Sequence, residues 1–370
     1  MIEERREELS IINKENTGYK TGHYPVFLGE RLGLQDTVNV TYPKYFEFWE
    51  KQKSQDWHFT EVSLDQSRKD FVTCSQSMYD IMIKTLSFQL EGDSVATNIF
   101  TLLAPFLSNT EAARWFLKVS DIEALHSSTY SEIVRQCIKN PQDIFDQIVT
   151  NENISDRMVI VEKVLSDLEI AGSKYRLGLI EADDDLRLLI LKGMFALTVL
   201  EGIQFLSSFA ATFALAEQGV FVGIAKLVQK VMLDEALHSI MDVYTITDVL
   251  LKDPKWEKVY NENIDELREI LDAGVKQEED WAEYIFSEGR IILGMNEESL
   301  KEWTYYNAGV IYKRLKLPVY FKVPKTNPFV WMENWTNPDK VQAAAQEIQL
   351  TNYKLNTGVK DFEEDEEFDF

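Results

Sequence analysis

Apolar side chains recur at steps of three and four residues through most of this chain. The runs span about 66–92, 110–138, 156–178, 183–217, 221–252, 263–288 and 298–316. That period gathers them into one stripe of an α-helix, the stripe a bundle buries. Asn140-Pro141, Asp253-Pro254 and Gly289 separate the runs, since proline disfavours helix at the residue before it. A shorter amphipathic helix is predicted over Tyr45–Lys53. Ahead of it, residues 1–43 are polar and interrupted by Gly18, Gly22, Pro25, Gly29 and Pro43, so they read as an extended N-terminal arm. Alternating pattern is confined to one weak strand candidate, Pro318–Val323. No repeat or shift in composition divides residues 44–340, which read as a single all-α domain.

The last segment, 341–370, breaks this pattern. It keeps some apolar content in Ala343-Ala-Ala-Gln-Glu-Ile-Gln-Leu350 and then turns acidic, with seven acids and one lysine from Lys360 to Phe370. Charge repulsion and lost apolar burial predict a flexible tail. Phe362, Phe368 and Phe370 interrupt the acids, which a purely solubilising tail does not need, so the tail reads as a peptide that folds onto a partner. The whole chain carries a net charge of −24, which repels nucleic acid phosphates and anionic membranes. Its most apolar stretch, about 187–215, is broken by Lys192, Glu201 and Gln204, as in a buried bundle helix rather than a membrane span. Two cysteines, Cys74 and Cys137, and a charged start without an apolar leader fit a reducing, cytoplasmic setting.

Candidate chemistry sits inside the helical runs. Two of the four histidines follow a glutamate by three residues, in Glu123-Ala-Leu-His126 and Glu235-Ala-Leu-His238. Three residues on a helix place a carboxylate and an imidazole one turn apart on one face. Two helices carrying this motif, with one more carboxylate from each of two others, make the di-metal box of a four-helix bundle. Glu201 supplies one such carboxylate, from the middle of an apolar stripe where a lone charge needs a cation or a shifted pKa. Asp93, at the end of the 66–92 run, supplies the other, with Glu91 as a rival. One Glu-x-x-His is commonplace on helix surfaces; two of them with Glu201 are not. Asp93, Glu123, His126, Glu201, Glu235 and His238 suit two divalent ions, iron or manganese rather than a thiolate-loving metal. Tyr130 projects from the same helix face as Glu123 and His126, with Phe205, Phe209 and Val231 as an apolar neighbourhood.

These residues resemble the small, radical-generating subunit of class I ribonucleotide reductase. The resemblance rests on Glu123-x-x-His126-x-x-x-Tyr130, Glu201 and Asp234-Glu235-Ala-Leu-His238. It continues through Trp57-His-Phe-Thr-Glu-Val62, Asn140-Pro-Gln-Asp-Ile-Phe145, Gln277-Glu-Glu-Asp-Trp281, Asn327-Pro-Phe-Val-Trp331 and Gln346-Glu-Ile-Gln-Leu-Thr-Asn-Tyr353, covering about residue 45 to the C-terminus. It implies a ferritin-like helical bundle, a homodimer, and two metals, iron first and manganese second, that oxidise Tyr130 to a tyrosyl radical. It further implies a relay through His126, Asp234 and Trp57, with Tyr353 on the tail handing the radical to a large catalytic subunit and Glu347 as a proton partner. That large subunit reduces ribonucleotides to deoxyribonucleotides, and the extreme C-terminus docks on it. The gap from Asp93 to Glu123 is one residue shorter than in relatives, which keeps Glu91 in play.

Two other readings compete. A di-iron oxidase or oxygenase of the same fold explains the ligands but leaves Trp57, Tyr353 and the tail idle. An iron-storing or purely structural bundle predicts many irons per chain or none, and no radical. Diphosphate against triphosphate substrates, and a cellular against a viral source, stay open at this level.

Overall fold

The computed structural model describes residues 13–336. Among them every regular element is helical, and the helices of eight residues or more are α1 (Pro43–Ser54), α2 (Asp65–Thr73), α3 (Gln76–Ala96), α4 (Thr110–Cys137), α5 (Pro141–Ile148), α6 (Glu152–Arg176), α7 (Asp184–Val199), α8 (Phe205–Ala216), α9 (Val222–Tyr244), α10 (Pro254–Glu262), α11 (Ile264–Phe286) and α12 (Glu297–Leu315).

Local chemistry sets the boundaries. Asn109 accepts from the Ala112 amide at 2.8 Å and starts α4. Asp183 does the same for Leu186 at 2.9 Å and starts α7, whose first turn adds Asp184 and Asp185 at the positive end of the helix dipole. Ser75 caps α3 and splits the run expected over 66–92 into α2 and α3. Glu288 and Gly289, both at positive φ, end the run before α12. The start of α9 is capped from outside: Asp70 of α2 accepts from the Phe221 amide at 2.8 Å, and Ser67 accepts from Ile224 at 3.3 Å. The proline-marked breaks each lead into a further helix with Pro at its first turn, α5 and α10.

The candidate strand Pro318–Val323 forms no strand; Phe321 stacks instead on Tyr305 of α12, with ring centroids 4.8 Å apart. An isolated strand has no ladder to satisfy its backbone, and none of the described neighbours offers one. The described part of the N-terminal arm lies on the bundle. Tyr24, Val26 and Phe27 are buried, Leu28 and Val26 exchange backbone hydrogen bonds with Phe106 and Ser108, and Glu111 of α4 accepts from the Thr41 and Tyr42 amides.

Four helical segments surround the interior that matters. Helix α3 packs on α4 and α8, and α9 packs on α8 and α4. Helices α6, α7 and α11 pack together beside them, α12 covers α8 and α11, and α1 crosses α4 and α9. Two of the described stretches widen to π geometry: Leu200–Gln204 forms a π turn between α7 and α8, and Thr245–Val249 forms another after α9. None of the described helices is long and apolar enough to cross a membrane.

Candidate metal centre

Each of the four surrounding segments delivers carboxylate or imidazole to one buried point: α3 brings Asp93, α4 brings Glu123 and His126, the π turn brings Glu201, and α9 brings Glu235 and His238. They form two overlapping groups whose ligand atoms lie within 4.8 Å of one another, Asp93–Glu123–His126–Glu235 and Glu123–Glu201–Glu235–His238. Glu123 and Glu235 belong to both, the position of bridging carboxylates. The His126 Nδ1 lies 3.0 Å from Glu235 Oε1 and 3.4 Å from Glu123 Oε2. The His238 Nδ1 lies 2.8 Å from Glu123 Oε1 and 3.5 Å from Glu235 Oε2. Asp93 is fully buried inside α3, which runs on to Ala96, whereas Glu91 is half-buried and joins neither group.

The donor set fits two divalent cations. Both oxygens of Asp93 and both of Glu201 receive no hydrogen bond, and those of Glu123 and Glu235 face imidazole nitrogens. Leaving buried acceptors unmade is costly unless a cation or proton completes them. The ionisation pattern expresses the same demand. Burial, with Glu123 beside it, holds the Asp93 carboxyl well above its usual range, and burial with Asp242 and Glu235 does so for Glu201. Burial also opposes the charged imidazoles, but the carboxylates outweigh it, raising His126 well above its ordinary value and His238 to about 10. For Glu123, the two histidines outweigh burial and bring it to about 2. Four carboxylates and two neutral imidazoles would balance two 2+ ions, and hard oxygens with one imidazole per ion suit iron or manganese.

Beyond the ligands, a hydrogen-bonded line runs outward. The His126 Nε2 faces Asp234 Oδ2 at 3.0 Å; with its proton held there, Nδ1 is the nitrogen that would offer its lone pair to a metal once its own proton leaves. The Trp57 indole N–H donates to the same Asp234 oxygen at 2.8 Å, and the Trp57 and His126 rings stack with centroids 6.0 Å apart. Trp57 lies at the edge of the core, with Lys230 over its ring at 5.8 Å. Tyr130 is fully buried and its hydroxyl has no hydrogen-bond partner; burial, with Asp93, Glu235 and Glu123, pushes its pKa far up. Phe205, Phe209 and Val231 are likewise fully buried. Tyr353 and Glu347, with the acidic tail, lie outside the described residues.

Two residues of this region escaped the sequence reading. Gln52 of α1 donates to Asp234 Oδ1 at 2.6 Å; as a polar residue on an amphipathic helix it carried no signal. Asp242 is buried against Glu201, its carboxyl pushed up to about 7 by burial. It lies one helical turn beyond His238 in an apolar run, so the reasoning that singled out Glu201 and Asp234 would have reached it.

A helical bundle that closes over a buried, doubly bridged carboxylate–histidine cluster defines the class of dinuclear-metal bundle proteins. The comparisons narrow this. The family described as "Ribonucleotide reductase, small chain" matches residues 35–328, and the chain belongs to that family, an oxidoreductase component with the all-α ferritin-like fold. The chain is 31% identical to the ribonucleoside-diphosphate reductase subunit beta of Buchnera aphidicola subsp. Baizongia pistaciae, over 94% of this chain and 96% of that one. It is 28% identical to the ribonucleoside-diphosphate reductase 1 subunit beta of Escherichia coli O157:H7, over 89% and 91%. Among solved structures, the ribonucleotide reductase R2 subunit from Clostridium botulinum superposes with a TM-score of 0.74 at 20% identity, covering 88% of this chain and 98% of that one. The dimanganese(II)-NrdF of Streptococcus sanguinis gives 0.64 at 17% identity, covering 84% and 100%.

Proposed function

We propose that this chain is the small subunit of a ribonucleoside-diphosphate reductase that generates and stores a radical on Tyr130 and delivers it to a large catalytic subunit. The observation that carries the reading is the pair of ligand groups sharing Glu123 and Glu235, with Tyr130 on the same helix as Glu123 and His126. Asp93 and His126 would hold the first metal and Glu201 and His238 the second, with Glu123 and Glu235 bridging. We assign iron, with manganese as the alternative outcome of the test below. When bound, the pair supplies the oxidising power that removes an electron from the Tyr130 phenol.

The protein's own groups do the rest. Burial and the surrounding carboxylates keep the phenol proton on Tyr130 until its electron leaves, and Asp93, the carboxylate that acts most strongly on the phenol, is assigned as the acceptor of the proton then released. The full burial of Tyr130 keeps water from the phenoxyl. Trp57 is the outer station. Its indole N–H points at Asp234, so loss of an electron from the ring can be accompanied by transfer of that proton to Asp234 over 2.8 Å. Asp234 is held for this by three donors, Gln52, Trp57 and His126. The described chain ends close by. The Gln229 side chain of α9 donates to the Trp335 carbonyl at 2.8 Å, and the next residue, Lys230, lies over Trp57. The tail bearing Tyr353 and Glu347 is assigned to radical transfer, and its acidic, Phe-bearing C-terminus to docking on the large subunit. The active small subunit is assigned as a homodimer.

Direct oxidation of a substrate at the metals is disfavoured because it leaves the Trp57–Asp234 hydrogen bond without a task. The test is low-temperature electron paramagnetic resonance on protein loaded with ferrous iron and exposed to oxygen, beside Tyr130→Phe. An organic radical signal lost in the variant, with about two metals bound per chain, is the expected result. A two-iron site without a radical moves the assignment to manganese, and turnover without a large subunit moves it to a direct oxidase.

A further inference from the structure

Glu201 differs from the other five candidate ligands in its backbone. It sits in the π turn Leu200–Gln204, where the Phe205 amide reaches back five residues to the Leu200 carbonyl. A π turn takes up an extra residue, packs less well than the α-helix on either side, and persists where something outside the helix sustains it. Here the support comes from α6. The Arg157 guanidinium is fully buried, and its Nη2 donates to the Gln204 carbonyl at 2.8 Å while Nη1 donates to Ser208 Oγ at 2.9 Å. Gln204 answers by donating its Nε2 to the Arg157 carbonyl at 2.6 Å. Glu278 of α11 holds the guanidinium in place, accepting from Nε at 2.5 Å and Nη2 at 2.6 Å. The plane is sandwiched by Phe88 of α3, 3.4 Å from ring centroid to guanidinium carbon, and Trp281 of α11 at 4.3 Å. On another side the turn is confined by close approach at Gly202, where an added Cβ would lie 2.6 Å from Ser239 Oγ and 2.7 Å from Ile311 Cδ1.

A buried ion pair is poor evidence for stability, because apolar side chains of the same volume often serve as well. This one has a more specific task. Its spare donors go to the last carbonyl of the π turn and to Ser208 one turn further on, so the fork spans the junction between the turn and α8. Gln204 follows Glu201 by three positions in the same turn, so a shift of the turn is a shift of that ligand. The other ligands sit on α-helices that need no such support.

We propose that Arg157, held by Glu278, is a positioning residue that fixes the π turn and thereby sets Glu201 for the second metal position. The inference rests on the two-metal reading above. It predicts a loss confined to one of two sites, which a general packing role would not produce.

The experiment is a titration of metal-free full-length protein with manganese(II), read through the paramagnetic resonance of the free ion. It compares wild type, Glu201→Ala and Arg157→Lys. Lysine keeps a charge for Glu278 but lacks the fork that reaches Glu278, Ser208 and the Gln204 carbonyl together. Wild type is expected to take two ions. Arg157→Lys is expected to keep the first affinity and lose at least about tenfold at the second, resembling Glu201→Ala. Hydrogen exchange of the metal-free variant should speed up at 200–205 and stay unchanged in α9. A folded Arg157→Lys with wild-type affinity at both sites, or with equal losses at both, overturns the proposal. If the lysine variant does not fold, Arg157→Met/Glu278→Met replaces the pair by apolar volume and faces the same criteria. Failure of that variant to fold overturns the positioning role in favour of a general structural one. Wild type binding no pair of ions would instead overturn the two-metal reading, while the metal-free exchange still reports on the clamp.

Discussion

At the scale of single residues, the site is a set of buried charges that need one another and need cations. Removing Glu201 as Glu201→Ala is expected to leave one tight metal per chain, measured by metal analysis after desalting. Asp234 acts through His126. Truncation as Asp234→Ala should weaken the first site by about 10- to 100-fold, the usual cost of losing the partner that orients a ligating imidazole, and it is read by the same manganese titration. Trp57→Phe keeps an aromatic ring, though a smaller one, and removes the N–H that reaches Asp234. Its expected signature is intact metal content with a turnover loss of at least about tenfold, about 1.4 kcal/mol, when the large subunit is added. Unchanged turnover would exclude Trp57 from the relay.

At the scale of elements, the sequence pattern and the helices differ in instructive places. The long runs became α4, α6, α9, α11 and α12 with ends shifted by a few residues, because burial of one stripe dominates long segments. The 66–92 run divided at Cys74-Ser75, where a serine cap outcompetes continuation, though the apolar spacing passes through it. The π turn Leu200–Gln204 gave no sequence signal, since its Gln204 carbonyl finds its partner, Arg157, on another helix. Gly202 is the turn's tight point. Gly202→Ala forces Ser239 or Ile311 to move and is expected to cost about 1–3 kcal/mol of stability by overpacking, measured by denaturant unfolding of the metal-free protein. A neutral result would mean that the turn has slack.

For the whole molecule, metal binding and folding are linked through protons. In the metal-free fold, Asp93, Glu201, His126 and His238 all have raised pKa values, so the folded state holds their protons more tightly than the unfolded chain. Each such group contributes stability below its unfolded pKa that is lost as pH rises through its folded value; Glu123, lowered to about 2, works in the opposite sense. Coordination requires these protons to leave, so metal affinity rises with pH. The thermal stabilisation by saturating manganese should therefore be larger at pH 8 than at pH 6. At one fixed manganese concentration, each tenfold gain in affinity between the two pH values adds about 1.4 kcal/mol, which calorimetry resolves. A separate expectation concerns the tail. A synthetic peptide of residues 360–370 should compete with the full-length protein for the large subunit and inhibit turnover, while a scrambled peptide should not.

What the sequence determined by itself is the kind of matter available: helical stripes of the right period, two Glu-x-x-His pairs, and carboxylates at Asp93, Glu201 and Asp234 where apolar residues were due. A helix's 3.6-residue period makes those relations local, so Glu123, His126 and Tyr130 share a face whatever the rest of the chain does. Tertiary structure alone decided which distant groups meet. It made Glu123 and Glu235 common to both candidate ligand groups, brought Asp93 but not Glu91 into one of them, and turned the His126 Nε2 toward Asp234. It also brought Gln52, Asp242 and Arg157 to the site from positions up to 182 residues away from the groups they touch. Side-chain contact across helices depends on how the bundle closes, and no spacing along one helix encodes that closure.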